Sequence, residues 1–189
     1  MNPNLATNET TLLREVLQHI AVDLAMISDR ELKVGNLQTE RMDHRPAGTG
    51  QVHISFRMDV HQGNGSNPGC VLIPFVDAVA LAGGLLMLPE PALFESRKEV
   101  ALDGPAKDAM LELGNFIAGA TGVAFRELEM PELRVEFSGC QGVKADVRPA
   151  LAYREGEDLL VAHGVMTLQG FEDQTYVLML PGTVLESDE

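Results

Sequence analysis

From residue 51 to residue 60 the chain alternates without a break: Val52, Ile54, Phe56, Met58 and Val60 are apolar, while Gln51, His53, Ser55, Arg57 and Asp59 between them are polar or charged. Successive side chains of a strand point to opposite faces, so this run describes a β-strand with one face buried and one wet. Helical periodicity appears upstream of it. Leu12, Leu13, Val16, Leu17, Ile20, Leu24 and Ile27 recur at spacings of three and four, which predicts an amphipathic helix over about 8–28, capped by Thr7 or Asn8 and ended by Asp29 and Arg30.

The rest of the chain reads as further strands and helices. A short strand is expected at 32–37, then a polar loop at 41–50 that contains Pro46. The glycine-rich stretch 61–69 reads as a turn, followed by an apolar strand at 70–75 and a short helix at 76–88. Residues 89–104 form a connection with no clear pattern. Pro105 suits the first turn of a third helix, running to about Ala120 with Asp103 or Gly104 as its cap. Strand-like runs follow at 133–138, 143–153, 159–168 and 174–180, separated by Gly139, Gly142, Gly156 and Gly170. The expectation is an α+β fold in one domain, with a core over about 30–181 and a short acidic tail at 182–189. A weak internal repeat lays Asp77–Gly84 over Asp108–Asn115, which makes a duplicated helix-plus-strands unit plausible.

Bulk properties exclude several function classes. With 28 acidic and 14 basic residues the net charge is −14, which repels phosphate backbones and argues against nucleic acid. Cys70 and Cys140 are the only cysteines and lack metal or redox spacing, so a reduced, cytoplasmic setting is the simpler expectation. No secretory leader is visible at the N-terminus. The longest apolar stretch, 71–88, is broken by Pro74, Asp77, Gly83 and Gly84, so no membrane insertion is expected.

The third helix carries the most chemistry. Ala106, Met110, Leu113, Ile117 and Ala120 fall on one stripe, and Asp108, Glu112, Asn115 and Gly119 fall roughly opposite, toward water. Glu112 and Asn115 are three residues apart and project together. Gly114 and Gly119 each weaken a helix interior by about 1 kcal/mol relative to alanine. Small residues beside a Glu/Asn pair would let a partner's surface approach, although close packing against the sheet explains such glycines equally well.

The run from Asp108 through Glu112 and Asn115 to Gly119 resembles the signature helix of the CheC/CheX/FliY family of chemotaxis phosphatases: Asp or Ser, three residues, Glu, two residues, Asn. The likeness extends to the stretch 74–86 before it and to the strand-rich half ending at 164–181. The resemblance implies a duplicated α+β unit with helices packed on an antiparallel sheet. It implies a phosphorylated CheY-like receiver as substrate, with Glu112 pairing with a receiver lysine and Asn115 holding the attacking water in line. Asp108 and Gly119 would support that face. The chain would need no cofactor of its own, the Mg²⁺ belonging to the receiver.

In the proposed first copy Leu81 and Gly84 stand where Glu and Asn would be, so one active helix per chain is expected. That is the CheX-like arrangement, and it implies a homodimer by analogy. Family members often carry a proline about two dozen residues after the Asn, where this chain reads Glu136-Phe137-Ser138. A non-catalytic adaptor that binds a receiver or a flagellar-switch component is the alternative reading. No other constellation competes: the five histidines are scattered without zinc spacing, and the glycines of 63–69 lack the lysine of a phosphate loop.

Overall fold

The computed structural model describes residues 7–98, 102–153 and 156–185. Helix α1 (Thr7–Ser28) leads into strand β1 (Leu32–Met42), and the hairpin β2 (His53–Gln62) and β3 (Gly65–Pro74) follows. Helices α2 (Phe75–Leu85), α3 (Glu90–Ser96) and α4 (Gly104–Glu127) come next. Strands β4 (Arg134–Val143), β5 (Leu159–Leu168) and β6 (Gln174–Pro181) complete the sheet, and a 3₁₀ turn spans Gly182–Leu185. The six strands pair antiparallel in the order β1-β5-β6-β3-β2-β4.

That order reads the same when β1, β2 and β3 are exchanged with β4, β5 and β6. The fold is thus two copies of a helix followed by three strands, α1-β1-β2-β3 and α4-β4-β5-β6, meeting at the β3–β6 pair. Each outer strand carries one irregularity in register, near Val34–Leu37 in β1 and opposite Arg57/Met58 in β4. The duplication expected from the sequence is present, but its units are different. The counterpart of α4 is α1, not α2. Helix α2 cannot be a docking helix, because Asp77 to Gly83 are all buried. Gly84 is small because a β-carbon there would lie 2.7 Å from the carbonyl oxygen of Ser28 on α1.

Several boundaries move for identifiable reasons. The turn expected at 61–69 shrinks to a two-residue loop, because Gln62 pairs with Gly65 and Gly63 takes the left-handed φ of 54° that such a loop needs. Strand β1 runs to Met42 rather than 37, drawn out by pairing with β5. The connection at 89–104 contains α3, whose Pro91 sits in its first turn and whose Leu93 is buried against Gly83; residues 99–101 lie outside the described part. No strand exists at 144–153. That segment leaves β4 at Val143 and carries Leu151 and Tyr153 onto the apolar patch of Cys70, Leu72, Leu159, Val161, Val177 and Met179 on the sheet face away from the helices. Of the expected tail, Gly182–Leu185 is packed, with Val184 in the core.

The main core lies between the helices and the other sheet face. Leu12, Leu13, Val16, Leu17, Ile20 and Leu24 of α1 meet Met110, Leu113, Ile117 and Phe125 of α4 above Phe56, Met58, Ile73 and Tyr176 of the strands. All of these side chains leave water nearly completely, and burying one of them contributes roughly 1.5–3 kcal/mol. This packing fixes which face of α4 is turned outward.

Candidate functional site

Helix α4 begins where the sequence places it. The side chain of Asp103 accepts a hydrogen bond from the amide of Ala106 at 2.8 Å, and Pro105 occupies the first turn. The helix continues seven residues beyond the expected end, because Thr121, Ala124 and Phe125 are buried and keep the periodicity going. Its inner stripe is Ala109, Met110, Leu113, Ile117 and Ala120, with Ala106 half-buried at its start. That leaves Asp108, Glu112, Asn115 and Gly119 together on the outer face, all four exposed. Each residue singled out in the signature helix is therefore on one ridge.

Within the ridge, Nδ2 of Asn115 donates to Oε2 of Glu112 at 3.3 Å. No other polar partner of Glu112 is present among the described residues, and it is engaged in no ion pair there. The carboxylate keeps lone pairs free for a cation from outside, and the amide keeps its oxygen and second hydrogen for another partner. The ridge is convex, and neither side chain lines any of the four main cavities. Small-molecule sites are concave, so this arrangement suits a macromolecular surface.

The two glycines of the helix have different reasons. Gly114 is buried under the ring of Phe137 on β4, where a β-carbon would overlap the ring, so it serves internal packing. Gly119 is exposed, and a β-carbon there would meet nothing within 4 Å. Among the described residues no contact calls for a glycine at position 119.

The position expected to hold a proline on the following strand coincides with a β-bulge. Arg57 pairs with Gly139 and Met58 with Phe137, leaving Ser138 as the extra residue, and Gly139 takes a φ of 120°. Bulges on an edge strand are among the few places in a sheet that accept proline. Helix α1, the structural counterpart of α4, carries no Glu-x-x-Asn pair; three residues after Glu9 and Glu15 stand Leu12 and Gln18. One candidate helix per chain survives the change of repeat unit.

Sequence reasoning passed over a second polar constellation. Tyr176 on β6 donates its hydroxyl to Oδ2 of Asp77 on α2 at 3.1 Å, both side chains fully buried. Arg97 brings its guanidinium within 3.5 Å of Asp77 Oδ1, donates to the carbonyl of Val76 at 3.0 Å and stacks 3.9 Å from the centre of the Phe171 ring. Burial pushes the Asp77 carboxyl up to about 6, with Tyr176 and then Arg97 pulling it part of the way back. This network ties α2, the end of α3 and the β5–β6 turn together. The described residues contain no group of three His, Cys, Asp or Glu side chains placed to hold a metal, and no helix among them is long and apolar enough to cross a membrane.

Helices on one face of a six-stranded antiparallel sheet made of two like halves define the fold of the CheC, CheX and FliY proteins and of the FliM middle domain. The crystal structure of Thermotoga maritima FliY is similar over 96% of this chain and 93% of that one, with a TM-score of 0.66 and 14% identity. CheX from Desulfovibrio desulfuricans matches over 90% and 99% with a TM-score of 0.59 and 12% identity. The FliM middle domain from H. pylori matches over 95% of each chain with a TM-score of 0.62 and 7% identity. No protein-family model and no curated protein matches the sequence. The chain has the CheC/CheX/FliY fold.

Proposed function

We propose that the protein accelerates hydrolysis of the aspartyl-phosphate of a CheY-like receiver, acting from the exposed face of α4. The observation that carries this is the Glu112–Asn115 pair: two side chains of the signature, hydrogen-bonded to each other and exposed on a convex ridge beside an unhindered Gly119. Hydrolysis of an acyl phosphate needs a nucleophile held in line and charge stabilised on the equatorial oxygens more than it needs a strong base. An amide orients water through its oxygen and hydrogens without taking a proton. Asn115 does this here, while Glu112 pairs with a lysine of the receiver and fixes the relative orientation. The bond to Glu112 narrows the range of Asn115 before docking, and Asp108 adds negative charge one turn earlier. Mg²⁺ is supplied by the receiver, and the chain works in the cytoplasm as a homodimer without a cofactor of its own.

A second reading is favoured by the fold likeness to the FliM middle domain and to a chain in a FliG–FliM complex from H. pylori, the latter with a TM-score of 0.66 and 7% identity. In that reading the same scaffold is an adaptor. The two are separated by measuring phosphate release from a set of phosphorylated CheY-like receivers of the source organism. Wild type should speed loss of phosphate from at least one of them. Asn115→Ala should abolish the acceleration with binding kept, and Glu112→Ala should weaken binding as well. Binding without acceleration by the wild type selects the adaptor, and neither binding nor acceleration across the set removes the receiver reading.

A further inference from the structure

Along the flank of the Glu112/Asn115 ridge, α4 and the outer strand β4 border an open apolar groove of about 340 Å³. Met110 and Leu111 wall it from the helix, Leu102 closes one end, and Ile54, Cys140 and Gly142 wall it from the sheet. Leu111 is 46% exposed, and a β-carbon on Gly142 would meet nothing within 4 Å, so the groove is open to water. Lys107, Leu111 and Asn115 form one i, i+4 row on the helix, which makes Leu111 the shared lip of groove and ridge. Any object seated on Asn115 also covers Leu111.

An exposed ion pair such as Glu112 with a lysine changes affinity by about fivefold at most. A complex in which the ridge holds a receiver long enough for in-line attack therefore needs apolar burial next to that pair. Near the ridge the acids Asp108 and Glu112 face outward with Lys107 at the groove's edge, in a chain of net charge −14. A partner segment that complements this surface presents an apolar side chain with a cation beside it.

We propose that the groove receives an apolar side chain of the receiver, adjacent on the receiver's surface to the lysine that pairs with Glu112. The proposal rests on the receiver reading above. Leu111 and the groove supply docking affinity and in-register placement, while Glu112 and Asn115 supply orientation and chemistry. The groove then determines which receivers are accepted.

The test uses the full chain with Leu111→Asp and, separately, Gly142→Leu, which fills the groove from the strand side. Binding is titrated with a beryllofluoride-loaded receiver that the wild type binds, and phosphate release is followed for the wild type and Asn115→Ala. Both variants should keep the wild-type melting temperature and circular dichroism and weaken binding at least about tenfold. Unchanged affinity in the two folded variants, alongside loss of hydrolysis in Asn115→Ala, overturns the groove and leaves the receiver reading standing. A wild type that neither binds nor dephosphorylates any receiver overturns both.

Discussion

The ring of Phe137 on β4 lies directly over the backbone of Gly114 on α4, in the volume that a β-carbon at position 114 would occupy. The contact sets how closely the signature helix sits on the edge of the sheet. It also shows that a glycine inside a functional-looking helix can answer to its own fold.

Gly114→Ala should therefore lower stability by about 1–3 kcal/mol despite alanine's better helix propensity, because the methyl must displace a half-buried ring. Gly114→Ala combined with Phe137→Leu should recover part of the loss. Urea midpoints of the two single variants and the double variant test this, and strictly additive losses would show that the two residues do not meet.

At Gly119 the sign reverses. With nothing within 4 Å of a β-carbon, Gly119→Ala should stabilise the protein by about 0.5–1 kcal/mol through helix propensity alone. If the ridge docks a receiver closely, Gly119→Gln should weaken that binding without loss of stability. Thermal melts and receiver titrations on the same variants separate the two effects, and undiminished binding in Gly119→Gln would mean that the face is not closely covered.

Asp77 gives a pH dependence of definite sign. Its carboxyl is raised to about 6 in the folded protein, while in the unfolded chain it titrates near about 4. Between those values the folded state binds more protons, so its contribution is full below about 4 and is lost as pH rises to about 6, an effect of the order of 2–3 kcal/mol. Asp77→Asn should flatten this part of the profile relative to wild type. Denaturation midpoints at pH 4.5 and pH 7 for both proteins provide the measurement, and parallel profiles would show that Asp77 does not titrate there.

Much of the fold was legible because its elements have strong local signals. The alternation of 52–60, the stripe of α1 and the Asp103-Gly104-Pro105 start of α4 were sufficient to place those features within a few residues, while the end of α4 lay seven residues further on. Where the sequence misled, long-range contacts decided. Val143 to Tyr153 has the composition of a strand, yet beyond Val143 no neighbouring strand pairs with it, and Leu151 and Tyr153 are used to cover the back of the sheet. The short likeness between Asp77–Gly84 and Asp108–Asn115 came from two helices with similar apolar content, whereas the actual repeat pairs α1 with α4 and is visible only in strand order.

The sequence by itself determined that Glu112, Asn115 and Gly119 share a helix face opposite an apolar stripe, because helical spacing depends on three or four residues at a time. It equally determined the acidic charge and the presence of one Glu-x-x-Asn pair in the chain. Only the tertiary structure decided that this face is exposed, that Gly114 serves Phe137 while a β-carbon at Gly119 would meet none of the described residues, and that an apolar groove runs along the ridge. Those properties come from strands β2 and β4 meeting α4 across stretches of sequence that carry no local record of the meeting.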